Sequence, residues 1–386
     1  MYLMGTNIQR QTRSLSTTTS VSEYQPCVIF VPTLTAGGAE RVASVLAQVW
    51  SLTRKVFVVT YFDEPHFYEI PDSVGVLSLG FHSGRRSALR AFDVCMALFR
   101  FRKCVVRLRP KFVLSFMNKY NVFCLVSLKG TKIPVIVSER DSPTEELPKI
   151  RSLLRDRYYP YADGIIFQTK AARDFINSRG SLCVEQTIIP NPIIRVIDPD
   201  SRKPDHIILA IGRLVPKKGF DQLLDAFAGM RNGGGWRLVI CGDGPMRSAL
   251  ERRARDLGVY NCVEFAGMVK DLGIYYRKAG LFAFSSLYEG YPNALAEAMV
   301  SGLPCISYDC PTGPAEMIQH GVNGLLVTVG DVAALSAAMD MLVADSDMAQ
   351  RLSIQAAKLG QVVATGAIAK RYLDYCESVA AVKVVG

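Results

Sequence analysis

Two glutamates eight positions apart, Glu289 and Glu297, sit in the otherwise small and apolar stretch SSLYEGYPNALAEAM. A carboxylate accepts hydrogen bonds at both oxygens, so each of them can hold a pair of hydroxyls. The apolar run before them reads as a strand ending near Ser286. Gly290 and Pro292 then read as a turn, and a helix is predicted from about Asn293. Glu289 falls in the loop and Glu297 about one turn inside the helix. That spacing lets the two carboxylates face separate pairs of hydroxyls on one ligand. The free amides of Asn293, Ala294 and Leu295 at the helix start would point at phosphates between them.

A second constellation is AIGRLVPKKGFDQLL, where Arg213 follows a strand, Lys217 and Lys218 come next, and a helix starts near Gly219 to Asp221. A guanidinium and an ammonium at a strand-to-helix crossing can clamp a diphosphate, the guanidinium binding two oxygens at once. Solvated surface cations would read the same in isolation. In TAGGAER, Gly37 and Gly38 lie between a strand and a helix, so backbone can approach a ligand and a helix start can face a phosphate. A tight turn would use the same glycines. The stretch lacks G-x-G-x-x-G spacing and the acid about twenty residues on, which disfavours a dinucleotide cofactor. In CPTGPAEMIQHGVNGLLV, Gly313 and Pro314 form a rigid loop and Glu316 starts the next helix; a structural turn is the other reading.

These residues need a scaffold. The chain has 386 residues, 49% hydrophobic and 21% charged, enough for two packed cores. No run of about 18 uncharged apolar residues occurs, and the N-terminus lacks the order of a secretory signal. The expectation is a cytoplasmic chain that does not span the membrane. Ten cysteines are scattered without a C-x-x-C pair, as suits reduced thiols rather than a disulfide frame or a zinc site.

Residues 1–24 are polar and Ser/Thr-rich, and are expected to be a disordered tail. From Cys27 the pattern is strand, Gly-bearing loop, helix, with further strands at VFVVTYF, FVLSFM, PVIVSER and GIIFQT. That alternation predicts a doubly wound, mostly parallel sheet over 25–195. The Pro- and Asp-rich RVIDPDSRKPD reads as a linker. The pattern then restarts over 196–366 at HIILAIGRL, WRLVICGDG, VEFAGMV, LFAFSS and PCISYD. A last helix, about Ala367 to Val379 within 367–386, is long enough to pack back across the domains. Two such halves leave a cleft between the carboxyl ends of both sheets, where ligands of these folds bind.

The formal net charge is +10 and uneven. From Gly84 to Lys111 there are nine Lys or Arg and one acid, Asp93. Leu89, Phe92, Met96 and Phe99 recur at helical spacing, so a basic amphipathic helix is predicted. It can lie on an anionic membrane surface, or turn its apolar stripe to the core and leave a solvated basic face. Nucleic acid is disfavoured, because no recognised binding motif or aromatic platform accompanies the charge.

GGAER, GRLVPKKGFD, VICGDGP, EFAGMV, SSLYEGYPNALAEAM, CPTGPAEMI and GVNGLLV occur in this order. Together they resemble the retaining glycosyltransferases of sequence family 4, over about residues 27–379. VSERDSP with CPTGPAEMI resembles the subgroup that builds polysaccharide, O-antigen or glycoprotein glycans on polyprenyl diphosphate. The resemblance implies the α/β GT-B fold, two Rossmann-like doubly wound domains facing each other across a cleft. It implies transfer of a hexose or N-acetylhexosamine from a nucleotide sugar, UDP in preference to GDP, to a lipid-linked or oligosaccharide acceptor at the inner membrane face. By the same resemblance Glu289 would contact the donor sugar and Glu297 the ribose. Arg213 and Lys218 would neutralise the leaving diphosphate without a metal, Gly38 would let the domains close, and Met268 would lie by the base. Many members carry a histidine at the end of the strand where this chain has Glu139 and Arg140; Arg140 is therefore a candidate at the reacting centre. Asp198-Pro199-Asp200 matches a metal-binding D-x-D superficially but falls in the linker, so neither metal nor cofactor is expected. A non-catalytic module of the same fold is the competing reading.

Overall fold

The apolar runs assemble into two sheets. The computed structural model describes residues 25–35, 37–81, 90–140, 142, 148–180 and 182–385; the tail expected over 1–24 and residues 84–89 of the basic segment lie outside these. The N-terminal sheet contains β1 (Cys27–Val31), β2 (Val56–Phe62), β3 (Gly75–Phe81), β4 (Phe112–Phe116), β5 (Val135–Ser138), β6 (Gly164–Phe167) and β7 (Glu185–Ile188), in the order β3-β2-β1-β4-β5-β6-β7. The C-terminal sheet contains β8 (Ile207–Ile211), β9 (Arg237–Cys241), β10 (Val263–Gly267), β11 (Leu281–Phe284), β12 (Cys305–Tyr308) and β13 (Leu325–Val327), in the order β10-β9-β8-β11-β12-β13. All neighbours pair in parallel. β1, β4 and β5 are buried end to end, as strands covered on both faces must be.

Helices follow the strands: α1 (Gly38–Trp50), α2 (Arg90–Leu108), α3 (Asn118–Leu128), α4 (Lys149–Tyr158) and α5 (Lys170–Ser178) in the first half. In the second are α6 (Phe220–Ala228), α7 (Arg247–Asp256), α8 (Gly273–Lys278), α9 (Asn293–Val300), α10 (Pro314–Met317), α11 (Val332–Ala344), α12 (Ser346–Ala357), α13 (Leu359–Val362) and α14 (Thr365–Val385). The strand order switches direction between β1 and β4, and again between β8 and β11. A crevice opens outside the carboxyl ends of the strands at each such point. Gly37, Gly38, Arg213 and Glu289 lie in or next to the loops that leave β1, β8 and β11 there.

α14 is longer than the predicted Ala367–Val379, and its buried residues Ile368, Tyr372, Cys376, Val379 and Ala380 join the core beneath the N-terminal sheet. The Trp50 indole donates to the Ala369 carbonyl at 2.8 Å, and Glu377 pairs with Arg54 at 3.0 Å and Lys111 at 3.3 Å.

The basic helix differs from one of its two expectations. Ala97, Phe101 and Val105 of α2 face the core with no exposed surface, Phe101 lying 4.3 Å from the Phe30 ring between centroids. Phe92 and Phe99 point outward, 64% and 63% exposed. Both series repeat at helical spacing, but the slot beside β1 takes the one beginning with small Ala97. Of the stripe expected to turn inward, Phe92 and Phe99 are therefore at the surface, Met96 is half-buried, and Leu89 lies outside the described residues. No helix among the described residues is long and apolar enough to cross a membrane.

Candidate functional site

The site is built where α9 begins. β11 stops at Phe284 rather than Ser286, because Ser285 leaves the sheet to donate its hydroxyl to the Lys218 carbonyl at 2.9 Å. That tie sets Lys218 beside the loop carrying Glu289. The two side chains form an ion pair, Glu289 is buried, and the Lys218 ammonium lies 5.4 Å over the Phe284 ring. Thr312 donates to the Glu289 carbonyl, fastening this loop to the next. Gly313 in that next loop has φ +101°, and a Cβ there would stand 2.3 Å from Pro292 Cδ, so only glycine lets the two loops meet.

Of the three amides expected to be free, one is not. Asn293 N donates to the Tyr291 carbonyl at 3.0 Å, because the turn before α9 closes tightly on Pro292. The amides of Ala294 and Leu295 have no acceptor among the described residues, and these two make the helix start electropositive. The Asn293 side chain instead reaches across the cleft and accepts from Asn191 Nδ2 at 2.8 Å.

The opposing domain presents α1. Gly37 caps it in extended conformation without a side-chain bond, and Gly38 is its first residue. A Cβ on Gly38 would lie 3.3 Å from Asn293 Nδ2, so the glycine admits the close approach of the two domains. Behind it, Arg41 forms an ion pair with Glu297, whose other oxygen accepts from the Tyr276 hydroxyl at 3.4 Å. Burial works most strongly against the charge of Arg41, but Glu297 together with Tyr68 and Tyr276 outweighs it and the guanidinium holds its proton more tightly than usual. Nearby Glu40 has its carboxyl raised by burial, with Arg140 and Arg213 acting in the opposite direction. Arg213 itself is exposed and has no ion pair among the described residues; it is not part of the Lys218–Glu289 pair. Met268 is exposed at the end of β10.

Arg140 lies at the base of the cleft, fully engaged. Its Nε donates to Ser138 Oγ at 3.0 Å, Nη2 to the Tyr372 hydroxyl at 3.0 Å and Nη1 to Asn191 Oδ1, with the guanidinium 4.7 Å over the Phe116 ring. Burial lowers its pKa. Glu139 accepts from the Tyr159 hydroxyl at 2.6 Å and from its neighbour's amide at 3.0 Å. Glu316 crosses the cleft too, taking the Lys170 and Ala171 amides at 2.9 and 3.0 Å at the start of α5.

Sequence reasoning misses Arg41, Tyr276 and Asn191. Arg41 lies inside the GGAER motif, where its charge could have been matched to a glutamate. Asn191 and Tyr276 carry no local signal, since only the fold brings them to Asn293 and Glu297. Together the cleft offers two acids, basic residues on both sides and a bare helix start, a set that can hold a polyol joined to phosphates.

Residues 196–359 match the model of glycosyl transferases group 1. Among curated relatives, the chain is 27% identical over 325 residues to the GalNAc-alpha-(1->4)-GalNAc-alpha-(1->3)-diNAcBac-PP-undecaprenol alpha-1,4-N-acetyl-D-galactosaminyltransferase of Campylobacter jejuni, covering 83% of this chain and 90% of that one. It is 29% identical to the amylovoran biosynthesis glycosyltransferase AmsD of Erwinia amylovora, covering 81% and 88%. Two solved structures share the fold: HepE of Anabaena in complex with UDP, with TM-score 0.75 and 17% identity over 92% of this chain and 100% of that one, and sucrose-phosphate synthase of Thermosynechococcus elongatus, with TM-score 0.80 and 17% identity over 93% and 100%.

Proposed function

We propose, from the premise that this chain is a glycosyltransferase of group 1 with the GT-B fold, that it moves a hexose or N-acetylhexosamine from UDP to a lipid-linked glycan with retention of configuration. The product belongs to surface polysaccharide or glycan synthesis, and the work is done at the cytoplasmic membrane face. The observation that carries the reading is the buried Lys218–Glu289 pair beside the two unpartnered amides of α9.

In this reading Glu289 holds donor-sugar hydroxyls and Glu297 the ribose diol. The diphosphate lies between them, at the amides of Ala294 and Leu295 and within reach of Lys218 and Arg213. Gly37, Gly38 and Gly313 let backbone come close, and Met268 borders the base. The C1–O bond to the diphosphate breaks, the acceptor oxygen bonds to C1 on the same face, and the acceptor proton passes to the leaving diphosphate. Fixed cations and helix dipoles meet the developing charge, a task that needs no metal. Arg140 acts through Asn191 on Asn293, which makes it a positioning residue.

Glu289→Ala and Lys218→Ala should each abolish transfer while leaving the far-UV spectrum near wild type, with a lowered unfolding midpoint because the remaining partner of the pair is left buried and unpaired. Removal of transition-state electrostatics of this kind costs on the order of 100-fold or more in kcat. Wild-type turnover in both variants would discredit the assignment and favour a non-catalytic nucleotide- or glycan-binding module.

A further inference from the structure

Glu40 holds a carboxylate on the N-terminal wall of the cleft that no cation claims. It is the third residue of α1, half-buried, and it accepts from the Thr33 hydroxyl at 3.4 Å, which lies 2.9 Å from that of Thr35. Two guanidiniums are near enough to favour its charge, and both are committed elsewhere. Arg140 is held by Ser138, Asn191 and Tyr372, and Arg213 meets the diphosphate in the proposed reading. Tyr68 from the loop after β2 and Tyr120 from the first turn of α3 sense the same carboxylate. Glu40 therefore stands at the crevice between β1 and β4, where the strand order switches.

The same carboxylate decides what this wall refuses. It folds back over the start of its own helix, where a Cβ on Gly37 would stand 2.1 Å from Glu40 Oε2 and where its own amide donates to it. The positive end of α1 is thus occupied by an anion of the chain, in contrast with the amides of Ala294 and Leu295 at α9. A phosphate or carboxylate brought here meets like charge, whereas a hydroxyl meets an acceptor with lone pairs left over. We infer that Glu40 is an acceptor-binding residue that selects an uncharged sugar, accepting hydrogen bonds from two neighbouring hydroxyls of the acceptor's terminal residue and excluding a uronic acid or a phosphorylated sugar from that place. The donor is held from the C-terminal domain in the proposed reading, so the hydroxyls that reach Glu40 on the opposite wall are the acceptor's. Glu40 tethers the acceptor there and takes no proton from it; the proton of the attacking hydroxyl still passes to the diphosphate.

This inference deepens the transferase reading and rests on it. Methyl glucoside and methyl N-acetylgalactosaminide as neutral probes, and methyl glucuronide as a charged one, are to be titrated into the full chain by saturation-transfer NMR, with and without UDP. The neutral glycosides should bind and the glucuronide should not. Glu40→Ala should weaken the neutral probes about tenfold or more, the loss expected for hydrogen bonds to a charged group. Glu40→Gln, which keeps a capping side chain at the third helical position, should lose less than Glu40→Ala and should admit the glucuronide. The loss is confined to glycosides, with UDP affinity no lower than in wild type. Neutral binding unchanged in Glu40→Ala, a glucuronide bound by wild type as well as its neutral counterpart, or no glycoside bound at all would overturn the assignment and leave Glu40 a helix cap. Because the glycosides are also titrated without UDP, a failure of UDP to bind, which would sink the transferase reading, is registered separately.

Discussion

In the proposed reading, Arg41 and Glu297 are the pair on which nucleotide entry turns. Both oxygens of Glu297 are engaged, one by Arg41 from the opposing domain and one by Tyr276. If Glu297 is to hold a ribose diol, the diol competes with the guanidinium for the same oxygens. Arg41→Met should therefore tighten UDP binding severalfold, measured by titration calorimetry at fixed ionic strength. Weaker binding would mean instead that Arg41 itself touches the nucleotide. At this scale the sequence was a good guide to chemistry and a poor one to partnership. Glu289, Lys218 and Gly313 are legible because their neighbours, a turn glycine and a helix start, carry local rules. The pairing of Arg41 with a residue 256 positions away does not, since it depends on how two sheets face each other.

Elements divide along similar lines. The start of α9 at Asn293 was legible from Pro292, whose fixed φ and missing N–H suit the residue just before a helix. Three strands were not read as such. β3 begins with Gly75, carries Gly80 next to its end and is mostly half-buried, three of the four β7 residues are polar, and β13 spans three residues. Each pairs at or near a sheet edge, where apolar runs thin out. The facing of α2 was ambiguous for a different reason, because two apolar series share one helix and only the slot next to Phe30 chooses between them. α14 makes the N-terminal core depend on the chain's last helix. Trp50→Phe, which removes the indole bond to Ala369 at 2.8 Å, should lower stability by about 1–2 kcal/mol in urea unfolding. An unchanged midpoint would show that the indole bond is not what holds the helix, leaving apolar burial and the Glu377 ion pairs to do so.

The molecule as a whole is tied across its cleft by the residues that would hold the donor. Glu297 meets Arg41, Asn293 meets Asn191, and Glu316 caps α5. Asn191 in turn takes Arg140 and Gln168, the latter at 2.6 Å, so the base of the N-terminal domain reaches the start of α9 through a single amide. In the proposed reading a nucleotide sugar entering this cleft would exchange these protein contacts for its own, with Arg213 and the Glu289-paired Lys218 receiving the diphosphate. The most direct test of that account is calorimetric titration of UDP into the purified protein with EDTA present. A single site whose affinity collapses in Lys218→Ala is the predicted result; no binding of UDP or GDP, or binding that appears only when a divalent cation is restored, would contradict it.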